Sequence, residues 1–349
     1  MTQDVLTSVE GAVGRIRLNR PKAIHALTKD MCSVMIDALT AWADDPEVAA
    51  VMIDHADGRG FCAGGDVVML RSSGMGDGAE ARAFFHEEYR LNHLLFTYEK
   101  PVIAFMDGIT MGGGVGISQP ARFRIATENT RFAMPETSIG LFPDVGGGWY
   151  LSRLPGCTGK FVALTGARLD GAECKYLGLA THYIPAERLE EVKERIAARP
   201  DRVEGILGEA SANPPEARIE RNLAQINKSF SPDSLEDIIA ALEGDESEWA
   251  ARELATLRTK SPQACKVSLR LLAEGAQMTD FADEMGMEYA VAARVVSRPD
   301  FAEGVRAVLV DKDNAPVWDP ATPEGVTDEL IDDIFAPLPA GEAWTPLKR

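Results

Sequence analysis

Two acids stand in a stretch that is otherwise apolar and rich in glycine. In FAMPETSIGLFPDVGGGWYL, Glu136 follows Pro135 and Asp144 follows Pro143. A carboxylate in such surroundings is costly to bury unless it is paired or used, and burial moves its pKa toward the range in which enzymes work. Singly, each has a plain structural reading: a helix cap for Glu136, a cap or Asx-turn for Asp144. As a pair beside glycine clusters they equally suit acid–base or nucleophilic chemistry. Two glycine-rich turns add to this, Ala63-Gly64-Gly65-Asp66 and Gly112-Gly113-Gly114, each after an apolar strand-like run. Glycine lets backbone N–H groups approach a ligand closely, and the second turn opens a helix, whose free N–H groups favour negative charge. Brought together, the two turns supply one donor each to a developing oxyanion. Tight strand–helix packing is the plainer use of the same glycines.

Other chemistries fail on spacing. Gly58-Arg59-Gly60-Phe61-Cys62-Ala63 fits a dinucleotide fingerprint. Only a short helix can follow Asp66, however, and no following strand ends in the required acid. The segment before Lys160 is one glycine short of a P-loop, Leu154 standing at its first position. His86 and His93 are too far apart along a helix, about 10.5 Å, to share a metal. There is no G-x-S-x-G nucleophile elbow.

The elements that position these residues read as follows. Residues 4–18 form a strand–turn–strand around Gly11, and Pro21 forces a loop at 19–22. Thr28 caps a helix with Met31, Val34, Met35, Leu39 and Trp42 on one face. The strand VAAVMIDH and the turn GRGFCAGGD follow. The pattern repeats with a helix over 80–98, the strand PVIAFMDG, a helix opened by MGGGVGIS and two short strands in FRIATENTRFAMPE. LFPDVGGGWYLSRLPG is a loop entering a helix. Helices near 160–165 and 171–177 and the strand THYIP end the run. Such alternation to about residue 186 argues an α/β domain of stacked turns. Beyond it, 187–198, 216–228, 233–244, 248–258, 262–274 and 280–297 read helical, with Phe281, Met285, Tyr289, Ala292 and Val296 in one stripe. The tail from Pro316 is acidic and proline-rich yet keeps Trp318, Leu330, Ile334, Phe335 and Trp344. It is expected to wrap irregularly over the surface rather than be disordered.

Composition narrows the partners. The 349 residues suit about two domains. A net charge of −18 argues against nucleic acid and anionic membranes, leaving an anionic small ligand only where basic residues cluster. No apolar run approaches the ~20 residues of a membrane helix, and MTQDVLTSVE reads as neither a secretory signal nor a transit peptide. Cys32, Cys62, Cys157, Cys174 and Cys265 are odd in number, scattered and without zinc spacing, as expected for reduced thiols of a cytoplasmic protein.

GRGFCAGGD, PVIAFMDGITMGGGVGIS and RFAMPETSIGLFPDVGGGWYLSRLPG resemble the crotonase (enoyl-CoA hydratase/isomerase) superfamily. NRPKAIHAL at 19–27, FFHEEYRLN at 84–92, ALTGARLDG at 163–171 and DFAEGVRAVLVDKD at 300–313 support it, so the resemblance runs from about residue 5 to 320. DGITMGGGVG together with AMPETSIGLFPDVGGG points to the branch that hydrolyses 3-hydroxyisobutyryl-CoA, a thioester of valine breakdown. The resemblance implies a crotonase-like spiral of ββα units over 1–190, an α/β (α+β) fold, and a mainly helical region over 191–349 with an irregular acidic tail. It places the oxyanion hole on the N–H groups of Gly65 and Gly113, the catalytic carboxylates on Glu136 and Asp144, and a substrate contact on Glu88. Coenzyme A, as part of the substrate, would lie along Lys22, Ala23, His25 and Ala63, with Arg20 and Arg59 as phosphate partners. No metal or redox cofactor is implied. Homo-oligomers are common in the superfamily, but the long C-terminal region of this branch could cover that interface, so the state of this chain is left open.

Two departures bear on the reaction. His25 stands where relatives often have Asn. Hydratases of the superfamily use a second glutamate three residues after the second oxyanion glycine, and here that residue is Gly116. A carboxylate set of Glu136 and Asp144 without it suits attack at the thioester carbon better than acid–base work on the α and β carbons. Thioester hydrolysis is therefore the expected activity. Hydration or isomerisation of enoyl-CoA is the alternative enzyme, and a silent CoA-binding scaffold the alternative of another class.

Overall fold

A computed structural model describes residues 3–348. The chain opens with the antiparallel hairpin β1 (Val5–Glu10) and β2 (Val13–Leu18), Val5 facing Leu18 and Glu10 facing Val13. Helix α1 (Lys29–Ala43) follows, and the Thr28 side chain accepts from the Met31 N–H as its cap. From there the chain coils, and each turn gives one strand to each of two sheets. The first turn contributes β3 (Ala50–His55) and β4 (Gly60–Cys62), the second β5 (Val102–Met106) and β6 (Ile109–Met111), the third β7 (Phe123–Ala126) and β8 (Arg131–Ala133). Strands β9 (Leu169–Asp170) and β10 (His182–Tyr183) close the two sheets, whose orders are β1-β2-β3-β5-β7-β10 and β4-β6-β8-β9. Neighbouring turns run parallel in both sheets. Parallel strands are covered on both faces, which is why β5 and the first four residues of β3, Ala50 to Ile53, are continuous apolar runs rather than alternating ones. This is the expected spiral.

The helices of the spiral are α2 (Val67–Gly74), α3 (Ala79–Phe96), α4 (Gly113–Ser118), α5 (Gly147–Ser152), α6 (Thr158–Thr165) and α7 (Gly171–Tyr176). Beyond it lie α8 (Leu189–Ala198), α9 (Val203–Ala210), α10 (Leu223–Ser229), α11 (Leu235–Glu243), α12 (Glu248–Leu257), α13 (Pro262–Gly275), α14 (Phe281–Val295), α15 (Pro299–Val305) and α16 (Asp328–Phe335). Helix α3 packs between α1 and α14, and one buried apolar cluster takes Phe84 and Tyr89 from α3 together with Met285 and Tyr289 from α14.

The tail differs from the expectation of an irregular wrap. Thr327 caps α16, Asp328 and Glu329 complement the dipole of its first turn, and Ile331 and Ile334 are buried. Trp344 then inserts beside α3, donating its indole N–H to the His86 carbonyl at 3.2 Å. Helix α9 and helix α15 also lie in stretches whose sequence reading was not helical. Among the described residues no helix is long and apolar enough to cross a membrane, and all five cysteines are unpaired.

Candidate active site

Three parallel neighbours of the small sheet end side by side, and a candidate site residue follows each. Gly65 comes shortly after β4, Gly113 after β6 and Glu136 after β8. The spiral thus gathers into one place loops that are far apart in sequence. The two glycine turns touch: a Cβ on Gly112 would lie 3.3 Å from the Gly64 Cα, and one on Gly64 would lie 3.9 Å from the Gly113 nitrogen.

Their N–H groups are left open by the local backbone. Leu27 pairs with Gly65 as a parallel bridge, donating to the Gly64 carbonyl at 2.7 Å and accepting from the Asp66 N–H at 3.0 Å. That pattern turns the N–H of Gly65 itself away from Leu27. Gly113 is the first residue of α4, so its N–H has no carbonyl to reach within the helix. Glycine is required there by proximity, because a Cβ would stand 2.5 Å from Glu88 Oε1.

Three carboxyl groups converge on this turn. Glu88, Glu136 and Asp144 are each at most 5% exposed. Glu136 starts a 3₁₀ turn (Glu136–Ile139) but makes no capping bond, and its Oε2 has no partner. One of its oxygens, Oε1, would be 3.1 Å from a Cβ on Gly112. Glu88 Oε1 is likewise buried without a partner. Asp144 Oδ2 accepts from the Tyr89 hydroxyl at 2.8 Å. The helix-cap reading of Glu136 thus finds no bond to support it.

Burial holds the Glu136 carboxyl well above the usual carboxylate range, and the Asp144 charge adds to the effect. Glu88 is raised well above it too, by burial first and then by Asp144 and Glu136. Burial lifts Asp144 only to about 6, because the Tyr89 hydroxyl and a backbone N–H stabilise its anion. Of the three acids, Asp144 is therefore the most readily ionised, while burial and the neighbouring charges favour the neutral form of Glu136 and Glu88.

The helical region fixes the Asp144 loop. Glu288 of α14 accepts from the Gly146 N–H at 2.8 Å through Oε2 and from the Gly148 N–H at 3.2 Å through Oε1. Between them and Asp144, Val145 is held at φ 55°, a left-handed conformation that costs a β-branched residue roughly 1–3 kcal/mol. Glu284, one turn before Glu288, is buried beside it and raised by desolvation to about 7.

The residues assigned to coenzyme A lie on the adjoining rim. Lys22 is exposed, and Ala23 and Ala63 are half-buried. The 57–59 turn rests on this loop, with a Cβ on Gly58 reaching to 3.4 Å from Pro21, so the exposed Arg59 joins the same rim. His25 is wholly buried: its Nδ1 accepts from the Arg20 N–H at 2.9 Å and its Nε2 lies 2.7 Å from the Asp57 carbonyl. Burial lowers its pKa, keeping the ring neutral in that buckle. Arg20 pairs with Asp66 at 2.9 Å and donates to the Ala26 carbonyl.

Tyr89, Asn92 and Glu288 were not singled out by sequence reasoning. Asn92 is fully buried and a Cβ on Gly116 would lie 2.7 Å from its Nδ2. The signal was available: Glu88 and Asn92 break the apolar face of α3 made by Phe84, Phe85, Leu91, Leu94 and Leu95.

A two-sheet spiral that delivers backbone donors and buried acids to one point is the architecture of the site. The sequence matches the enoyl-CoA hydratase/isomerase family over residues 13–335, and the chain belongs to that family. It is 42% identical over 344 residues to the mitochondrial 3-hydroxyisobutyryl-CoA hydrolase of Gallus gallus, covering 96% of this chain and 89% of that protein. The human protein of the same name is 41% identical over 345 residues, covering 96% and 89%. The crystal structure of a carnitinyl-CoA dehydratase from Mycobacterium thermoresistibile superposes with a TM-score of 0.93 at 41% identity, covering 97% of this chain and 98% of that one. An enoyl-CoA hydratase from Rhodobacter sphaeroides does so with a TM-score of 0.87 at 37% identity, covering 98% and 100%.

Proposed function

We propose that this protein is a thioester hydrolase that cleaves 3-hydroxyisobutyryl-CoA to 3-hydroxyisobutyrate and coenzyme A, a step of valine breakdown. Relatives named for that hydrolysis and solved structures named for hydration or dehydration match the chain about equally well in sequence. The observation that carries the choice is Gly116. A Cβ there would fall 2.6 Å from Val145 Cβ and 2.7 Å from Asn92 Nδ2, so the place where a hydratase holds its second carboxylate is filled by other side chains. What remains is a set of acids grouped around one backbone-lined point.

In this reading the thioester oxygen accepts from the N–H groups of Gly65 and Gly113, which polarise the carbonyl. Losing one such donor costs about 2.7–4 kcal/mol of transition-state stabilisation. Asp144, the most readily ionised of the three acids, takes the Glu136 proton. Glu136 then attacks the carbonyl carbon, or deprotonates a water that does so. Collapse of the tetrahedral oxyanion breaks the C–S bond, and Asp144 returns the proton to the departing thiolate. If Glu136 attacked, water hydrolyses the resulting anhydride. Glu88 contacts the acyl group beside Gly113. Coenzyme A runs along Lys22, Ala23, His25 and Ala63, with Lys22 and Arg59 meeting its phosphates. Arg20, spent on Asp66, supports the loop instead. The five unpaired thiols fit a reducing compartment such as the cytoplasm. The relatives' names place those proteins in mitochondria, and cell fractionation distinguishes the two.

The test is a panel of acyl-CoA esters scored for free thiol. Turnover is expected with short 3-hydroxyacyl chains and near-complete loss in Glu136→Gln, whose amide is neither a usable base nor a good nucleophile, with coenzyme A binding retained. Thiol release at background throughout the panel would instead identify a binding scaffold.

A further inference from the structure

Asn92 carries an unmet hydrogen-bonding capacity at the edge of this site. It lies one turn beyond Glu88 on the same face of α3, is fully buried, and has no partner at either Nδ2 or Oδ1. A buried amide group left unpaired is costly, and such groups in native interiors are ordinarily completed by a water or a ligand. Its surroundings point to a ligand bound at the site. Along α3 it is flanked by Glu88, whose Oε1 is also unpartnered, and by Tyr89, which holds Asp144. Across from it stand Gly116 on α4 and Val145, the residue after Asp144.

An acyl chain whose carbonyl is held at Gly113 has its third carbon only two bonds away. That carbon must therefore sit among the groups that adjoin Gly113, Glu136 and Asp144. Glu136 and Asp144 are committed to the carbonyl carbon and the leaving thiolate, and Glu88 lies against Gly113 itself. One turn further along α3, beside Gly116 and Val145, Asn92 presents both an unpaired donor and an unpaired acceptor to a polar substituent on the chain. A hydroxyl both donates and accepts a hydrogen bond, as an amide does. We propose that Asn92 is a specificity residue that hydrogen-bonds the 3-hydroxyl of the acyl chain, an inference that rests on the hydrolase reading. A chain lacking the hydroxyl would leave the amide as unpaired as it is in the free protein, and sites built this way reject the deoxy analogue strongly.

The experiment compares kcat/KM for 3-hydroxyisobutyryl-CoA and isobutyryl-CoA, by thiol release, in the wild type and in Asn92→Leu. The wild type is expected to prefer the hydroxylated ester by ~10² or more, and the variant to lose most of that ratio. Should Asn92→Leu not fold, Asn92→Ala removes the amide without added bulk and takes its place. A wild type indifferent to the hydroxyl, or variants that slow both esters by one factor and leave the ratio unmoved, would overturn the role of Asn92. Absence of thiol release from either ester by the wild type would overturn the hydrolase reading and this inference with it.

Discussion

Asp144 is the acid of the site that ionises most readily. Its pKa rises from 3.8 to about 6 on folding, so the unfolded chain ionises first and the native anion is held at a cost. That cost grows as pH rises from 3.8 toward about 6 and is complete above it. Two outcomes follow for Asp144→Asn, whose amide oxygen still accepts from Tyr89. If Asp144 relays the proton as proposed, turnover falls by ~10²–10⁴. Stability at pH 7 rises, by about 1–3 kcal/mol, because a buried anion has been removed. Kinetics and thermal melts on the same preparation check the opposed signs, and a variant that is both inactive and less stable would contradict the account. In the wild type, kcat/KM should climb about tenfold per unit below pH 6 and level off above it. The rise should vanish in Asp144→Asn.

The elements explain why such residues meet. Short strands β4, β6 and β8 lie in parallel register, so each turn of the spiral adds one loop to the site at the same level. Gly113 is the first residue of α4, a position at which proline folds readily while lacking an N–H. Gly113→Pro also brings in the Cβ that stands 2.5 Å from Glu88 Oε1, so it is read against Gly113→Ala, which adds the same Cβ and keeps the N–H. The proline variant should lose a further ~10²–10³ in kcat if that N–H stabilises the oxyanion. A folded proline variant no slower than Gly113→Ala would show that it does not. Legibility in the sequence divides along the same line. Glu136, Asp144 and the glycine turns sit in short contiguous motifs, where residue type and neighbours carry the message. Tyr89, Asn92 and Glu288 sit within helices, where a polar residue looks solvated until it is known what packs on that face. The helix α16 was hidden by the prolines and acids around it, although Thr327 and the spacing of Ile331 and Ile334 mark it in retrospect.

At the scale of the molecule, the helical region is part of the site rather than an appendage. Glu288 holds the Asp144 loop from α14, and the tail binds α3 through Trp344 to His86 and through Arg90 to the Thr345 carbonyl at 2.9 Å. Deleting residues 316–349 removes the buried side chains of Trp318, Ile331, Ile334 and Trp344. Each is worth about 1.5–3 kcal/mol when fully buried. The truncated chain should melt many degrees lower and lose thiol release with it, whereas a tail that merely decorates the surface would leave both unchanged. With Gly116 closed to a second carboxylate, the fold favours hydrolysis over hydration. This is tested most directly by assaying the wild type in parallel for free thiol with 3-hydroxyisobutyryl-CoA and for loss of enoyl absorbance with crotonyl-CoA. Rapid thiol release with hydration at background is the expected result; rapid hydration without thiol release would contradict it.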